Sequence, residues 1–431
     1  MDSRRKELLD YLMRLLIVIL SFFMSVAPAL AEGWTPLLSS HNYGPERILA
    51  VDKGAQTLIM LERKSPLHEV RRFPCTTGQS VGDKLVEGDL RTPEGVYFVG
   101  YRINRSLNWD LYGNLAYSLN YPNPIDRING KTGSGIWIHG RGKTFLPRDT
   151  RGCVALKVPD MKNVAQEIAY GTPVVIASDV EWTPDSGQDE GEAEAVVGQL
   201  QAWANDWQNQ SEAFFDHYDP ALMVLSENID FKGFVAHKRH VFAAKPWIHV
   251  MLGNIRAIPG PDYWVTWFDQ YYRTPGMAST TGKRFYWKKD AQGQWRIVGR
   301  EYVPAREDLS DKYMAVKTPE AVALVEAWKT AWLNMDVDAY GKLYAERAVQ
   351  GARRGATRII NYKKTLWAKT APVKVGIDGL KVSSHPRGLQ VVFVQTFEDS
   401  GGYSDIGRKT MILVPDGESW KIESEQWRRG R

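Results

Sequence analysis

Short apolar runs broken by turn residues govern the first part of the chain. Ile48–Val51, Thr57–Leu61, Glu69–Phe73, Gly95–Val99, Gly135–Ile138, Cys153–Leu156 and Pro173–Ile176 are rich in β-branched and aromatic side chains, a pattern that predicts strands. One stretch, Pro159–Tyr170, carries helix punctuation, with Asp160 near its start and Gly171 as its stop. Residues 46–178 therefore read as a mostly β domain with a helix packed on it. From Glu181 to Glu194 the apolar periodicity fades. Pro184, Asp185, Ser186 and Gly187 lead into an acidic run, which reads as a linker over 179–195.

Beyond that point the chain repeats itself. Ala202-Trp203-x3-Trp207-x-Asn209 returns as Ala327-Trp328-x3-Trp332-x-Asn334, and Phe268-x-Gln270 as Phe393-x-Gln395. Gly282 and Trp295-Arg-Ile297 return as Gly407 and Trp420-Lys-Ile422, all at one spacing of 125 residues, which chance matching would not keep. The repeat defines two units, 196–305 and 318–431. Each opens with an amphipathic helix whose Trp residues recur every four positions, as core residues do, and closes with strands joined by turns at Asp290–Gly293 and Pro415–Gly417. A helix followed by a curved sheet of this length resembles the nuclear transport factor 2-like fold, an α+β cone. That resemblance implies two tandem accessory domains that bind something or self-associate. The Asp216-His217 pair of the first copy has no counterpart in the second, so no shared acid–base dyad argues for catalysis there.

The first 31 residues are of another kind. Arg4, Arg5, Lys6 and Arg14 precede the apolar run Leu15–Val26, and Ala29-Leu-Ala31 offers small residues for cleavage, the pattern of a signal peptide. Leu12–Leu30 is nearly long enough to stay as an uncleaved anchor. Either reading puts the remainder in the periplasm. A net charge of +5 over 431 residues is too mild for a dedicated nucleic-acid binder.

The chemistry concentrates in Ile136-Trp-Ile-His139-Gly140 and Asp149-Thr-Arg-Gly-Cys153-Val-Ala-Leu156. A Cys–His pair is what thiol acyl transfer needs: the sulfur attacks, and the imidazole lowers the thiol pKa and shuttles the proton. Gly152 permits a sharp turn before Cys153, so the amides of Gly152 and Cys153 can converge on an oxyanion. Other histidines lack a partner pattern. His237 and His240 have helical spacing without a third ligand, so neither a metal nor another cofactor is expected.

His139-Gly140 and Thr150-x-Gly152-Cys153-hydrophobic also resemble the signature of the L,D-transpeptidases, the YkuD fold. Glu87-Gly-Asp-Leu-Arg91-Thr-Pro-Glu-Gly95-Val-Tyr97 and Leu119-Asn-Tyr121-Pro-Asn123 resemble further family segments in the right order. The resemblance implies a multidomain exported enzyme whose Cys153 forms a thioester with a peptidoglycan tetrapeptide stem, with the Gly140 carbonyl orienting the His139 ring. The resemblance implies transfer to an amine first, as the commoner reaction of the family, with hydrolysis to a tripeptide as the alternative. Arg151 and Ala155 depart from the commonest family pattern and resemble a subgroup containing cell-shape carboxypeptidases, some of which end in a nuclear transport factor 2-like domain. Arg91, Tyr121, Asn123, Trp137, Arg141 and Arg151 are the expected stem-peptide contacts, since arginine pairs bidentately with the stem's carboxylates. The only two cysteines are Cys75 and Cys153. A reversible Cys75–Cys153 disulfide is one further expectation, and a non-catalytic wall-binding protein is the reading from a different class.

Overall fold

The computed structural model describes residues 33–63, 66–142, 144–187 and 189–430. The expected signal peptide lies outside them. No helix among the described residues is long and apolar enough to cross a membrane. Packing divides the chain into two units, one holding residues up to 40, 45–123 and 130–187, the other 41–44, 124–129 and 188 onward.

In the first unit, β1 (Leu37–Ser40) pairs in parallel with β10 (Glu181–Ser186). Between them lie β2 (Arg47–Asp52), β3 (Thr57–Arg63), β4 (Leu67–Thr76), β5 (Gly95–Arg102), β6 (Ala116–Leu119), β7 (Trp137–Arg141), β8 (Val154–Lys157) and β9 (Pro173–Ala177). These eight close into a barrel in the order β2-β3-β4-β8-β7-β6-β5-β9, which removes the open edges that strands otherwise expose. Each predicted run overlaps one of these strands, although Gly135 and Ile136 precede β7 and Cys153 precedes β8. The helix runs Val158–Glu167, shorter than expected, because Ile168 is extended and Gly171 donates its N–H to the Val99 carbonyl at 2.7 Å.

Alternation sorts side chains at the centre of the barrel. Ile136, Ile138, Val154 and Leu156 enter the core together with Cys75, Tyr97 and Tyr121. Trp137 and His139 consequently point to the outer face.

The expected linker is a correction: its first part is β10 and its second is the start of the helix Asp189–Gln208. Pro184 is tolerated on a short two-stranded edge. Asp189, Glu190 and Glu192 fall in the first helical turn, where the macrodipole favours negative charge. The second unit repeats helix then sheet. Its first copy has β11 (His249–Pro259), β12 (Trp264–Thr274), β13 (Met277–Lys289) and β14 (Trp295–Val303) in one antiparallel sheet. The second copy has β15 (Tyr344–Gln350), β16 (Arg353–Arg354), β17 (Pro372–His385), β18 (Gly388–Asp399), β19 (Ser404–Asp416) and β20 (Ser419–Arg429). Trp203 and Trp328, at equivalent repeat positions, are both fully buried under their sheets.

Candidate active site

Strand register brings Cys153 and His139 together. β7 and β8 run parallel with His139 opposite Ala155, and β6 and β4 extend that row through Ala116 and Thr76. Cys153 lies two residues before Ala155, so the two-residue period puts it on the same outer face as His139. Adjacent-strand spacing and two residues of rise separate the two Cα atoms by about 8 Å, a span that a thiol and an imidazole close between them.

The local sequence explains why this face forms. Asn108 caps the helix Trp109–Tyr112 by accepting from the Leu111 N–H, and Gly113 ends it with φ of 58°. This short helix covers His139, with the Tyr112 ring 5.0 Å from the imidazole and 5.5 Å from Trp137. A Cβ on Gly140 would stand 3.3 Å from the Tyr112 carbonyl, a tight contact that favours glycine there. Gly152 adopts φ of +122°, and a Cβ on it would lie 2.7 Å from the Arg91 carbonyl. Gly152 is therefore a backbone requirement of the site.

His139 Nδ1 lies 2.7 Å from the Gly140 carbonyl. A carbonyl only accepts, so Nδ1 carries the proton and Nε2 keeps its lone pair. Burial pushes the imidazole down to about 4, the Gly140 carbonyl opposing and Arg141 adding to the fall. Cys153 is half-buried, and its thiol donates to the Gly135 carbonyl at 3.6 Å. Burial pushes that thiol up to about 11, against a backbone hydrogen bond at Trp137 and the charge of Lys84. The resting pair is therefore thiol and neutral imidazole. His139 Nε2 is then free to accept the thiol proton during attack.

The remaining expected residues divide. Trp137 is half-buried on the Cys153 face, and Arg151, two residues before Cys153, is exposed. Arg141 donates to the Thr144 carbonyl at 2.9 Å and pairs with Asp149, bracing the loop ahead of the cysteine. Arg91 donates to the Asp83 carbonyl at 3.3 Å while its own carbonyl lies under Gly152. Tyr121 and Asn123 correct the expectation: they are 6% and 1% exposed, and they donate to the Thr132 and Val96 carbonyls at 3.0 and 3.1 Å. They hold the scaffold. Of the expected oxyanion amides, the Gly152 N–H donates to Thr150 Oγ1 at 3.2 Å, and that hydroxyl donates to the Cys153 carbonyl at 2.7 Å. Cys75 belongs to the barrel core, opposite the face that carries Cys153, and both thiols are free. A Cys75–Cys153 bridge does not fit this fold.

Sequence reasoning missed Thr150 as the turn's hydrogen-bonding hub, although it sits in the motif. It also missed Tyr112 and the exposed Arg105, whose guanidinium lies 5.5 Å from the Trp137 ring, because only folding brings them to this face. No group of three or more His, Cys, Asp or Glu that could hold a metal occurs among the described residues.

In the second unit, the C-terminal cone encloses a cavity of about 510 Å3, lined among others by Trp332, Lys363, Gln395, Lys409, Glu425 and Trp427. His217 pairs with Asp206 at 2.8 Å rather than with its neighbour Asp216.

Residues 46–176 match the L,D-transpeptidase catalytic domain family, YkuD. Residues 195–301 and 320–426 each match the Cds6 C-terminal NTF2-like domain. The helical cell shape determining protein Pgp2 from Campylobacter jejuni is similar at 25% identity and a TM-score of 0.50, over 62% of this chain and 94% of that one. Bd1075 from Bdellovibrio bacteriovorus is similar at 25% identity and a TM-score of 0.50, over 63% of this chain and 97% of that one. No curated protein sequence matches the chain.

Proposed function

From a chain that carries an L,D-transpeptidase catalytic domain followed by two NTF2-like domains, we infer an exported enzyme that remodels peptidoglycan through a cysteine thioester. The observation that carries this reading is the register that puts Cys153 and His139 on one outer face with Nε2 unprotonated.

The substrate is a tetrapeptide stem, entered at the L-to-D peptide bond between its third and fourth residues. His139 Nε2 takes the Cys153 proton as the sulfur attacks the carbonyl carbon. The Cys153 N–H, joined by Gly152 once its bond to Thr150 loosens, faces the developing oxyanion. Collapse breaks the C–N bond, the imidazolium gives its proton to the departing amine, and the acyl group remains on sulfur. An amine acceptor then takes the acyl group, returning the thiol. Trp137, Arg151 and Arg105 border this face and suit a peptide that carries free carboxylates.

Hydrolysis of the same thioester is the second reading, and Ala155 favours it. Directly across from His139, its methyl group offers no polar atom to hold an acceptor amine. One experiment separates the outcomes: purified protein is incubated with tetrapeptide muropeptides, with and without a D-amino acid as acceptor. Exchanged or crosslinked products establish transfer, and tripeptide alone establishes hydrolysis. Cys153→Ala is expected to lower either activity by roughly a thousandfold or more. Turnover that survives this substitution sinks the thioester mechanism.

A further inference from the structure

The segment between β4 and β5 is a compact loop whose ends meet, the Gly78 N–H donating to Thr92 Oγ1 at 2.8 Å. It touches both turns next to Cys153. On one side, the Thr150 N–H donates to the Thr77 carbonyl at 3.0 Å, and the Gln79 N–H donates to the Thr150 carbonyl at 3.1 Å. The Arg91 carbonyl lies under Gly152 there. On the other side, the Leu85 carbonyl and the Glu87 N–H hold Thr132, both at 3.0 Å. Thr132 opens the turn whose Gly135 carbonyl accepts from the Cys153 thiol.

Two buried lysines meet this loop, and they are used differently. Lys53 donates to the Gly82 and Thr92 carbonyls and to Glu94, at 2.6, 2.8 and 2.8 Å, so all three of its N–H donors are spent. Lys84 is buried as deeply and donates to the Val86 carbonyl at 3.0 Å and to Asp89 at 2.8 Å. Its third N–H meets no acceptor among the described residues. Asp89 also accepts from the Leu85, Val86 and Arg91 N–H groups at 2.7, 3.1 and 3.1 Å. Burial opposes its charge, yet Lys84 and these N–H groups hold the carboxyl down at about 2. The Lys84 side chain passes along the Thr132 turn, where a Cβ on Gly133 would stand 3.4 Å from Lys84 Cε. Gly133 lies two residues before the carbonyl that accepts from the thiol. Burial raises the Cys153 thiol, and Lys84 is the charged side chain that opposes it. His139 faces Cys153 from β7 as a neutral ring, and Arg151 on the cysteine's own turn is exposed. A charge buried in a low dielectric acts more strongly than an exposed one.

We propose that Lys84 is a positioning residue for the reaction at Cys153: its buried ammonium stabilises the negative charge that develops on the sulfur as the proton moves to His139 Nε2. Asp89 keeps that ammonium in place through the loop it organises. The resting thiol stays protonated, because burial outweighs the charge; Lys84 acts on the fraction that ionises and on the barrier to attack. The assignment rests on the thioester reading of Cys153, but thiol reactivity can be measured without turnover.

Iodoacetamide labelling of Cys153 in the full chain, followed by mass spectrometry between about pH 7 and pH 9, tests this. Lys84→Met is expected to slow labelling roughly tenfold at each pH, the loss in thiolate fraction that follows removal of a nearby opposite charge. For a tetrapeptide substrate, kcat is expected to fall by a similar factor with KM unchanged, since the charge acts on the sulfur and not on bound substrate. Lys84→Arg keeps the charge and is expected to stay within about threefold of the wild type in both readouts. Should Lys84→Met fail to fold, Lys84→Met/Asp89→Asn removes both charges together, keeps an acceptor for the loop N–H groups and gives the same readout. Unchanged labelling in the folded, charge-free variants overturns the proposal. So does an equal loss in Lys84→Arg, which would mark a packing role. If the wild type labels but turns over no stem peptide, the thioester reading fails, and the labelling comparison still decides the role of Lys84.

Discussion

The barrel face and the second cone both bury ionisable groups, and they treat them oppositely. On the barrel face, burial pushes the Cys153 thiol up to about 11 and the His139 imidazole down to about 4, so both are neutral near pH 7. In the cone, Glu425 and Lys409 are buried at least as deeply but face one another. Burial alone would raise the Glu425 carboxyl, yet Lys409, Gln350 and Tyr344 outweigh it and hold the group below its ordinary value. The contrast teaches that burial discharges a group unless an opposite charge is buried with it. The barrel face is thereby poised for proton transfer, and the cone for holding charge permanently.

The largest effect that could break this contrast is the pH dependence of Cys153 reactivity. The thiolate is the species that alkylates, and its fraction rises tenfold per pH unit below the thiol pKa. With that pKa near 11, iodoacetamide labelling of the free enzyme is expected to climb about a thousandfold from pH 7 to pH 10. Cys75 stays silent, since it lies in the barrel core. A plateau between pH 5 and 8 would mean a preformed thiolate–imidazolium pair, and the neutral resting state would be wrong.

A smaller effect sharpens the other side. Glu425→Gln leaves Lys409 buried without its counter-charge and is expected to cost about 3–5 kcal/mol in urea unfolding of the full chain. The double variant Glu425→Leu/Lys409→Met should regain most of that loss, because it removes both charges together. The pH sign follows from the depressed carboxyl: the pair's stabilisation is complete above the unfolded-state value of about 4.3 and fades as pH falls through the lower folded value. Single and double variants that unfold alike would show that the ion pair does not stabilise the cone.

Much of this was legible in the chain itself, for identifiable reasons. Strands showed as short β-branched runs, and the tandem units as tryptophans at a fixed spacing. The catalytic pair was readable because a glycine stands beside each member, the one before Cys153 demanded by its positive φ. Acidic residues that start a helix, however, look like those of a linker, and this hid Asp189–Gln208. Tyr121 and Asn123 misled because the carbonyls they serve come from remote segments.

Tyr121 gives the smallest effect, and it tests that last distinction. Its ring packs in the core 6.0 Å from that of Tyr97, and its hydroxyl donates to the Thr132 carbonyl at 3.0 Å. Thr132 belongs to the turn that leads to Gly135, whose carbonyl accepts from the Cys153 thiol. The same turn is held independently: Thr132 Oγ1 accepts from the Glu87 N–H, the Thr132 N–H donates to the Leu85 carbonyl, both at 3.0 Å, and Lys131 pairs with Asp83 at 2.7 Å. Tyr121→Phe therefore removes one support among several. The expected cost is about 1 kcal/mol, a fall of a few degrees in the melting temperature of this unit. KM for a tetrapeptide substrate should stay the same, and kcat should fall by no more than about threefold, because one neutral hydrogen bond outside the reacting atoms contributes little to the barrier. If KM instead rises tenfold while the melting temperature holds, the hydroxyl touches substrate, and the division between scaffold and contact residues on this face must be redrawn.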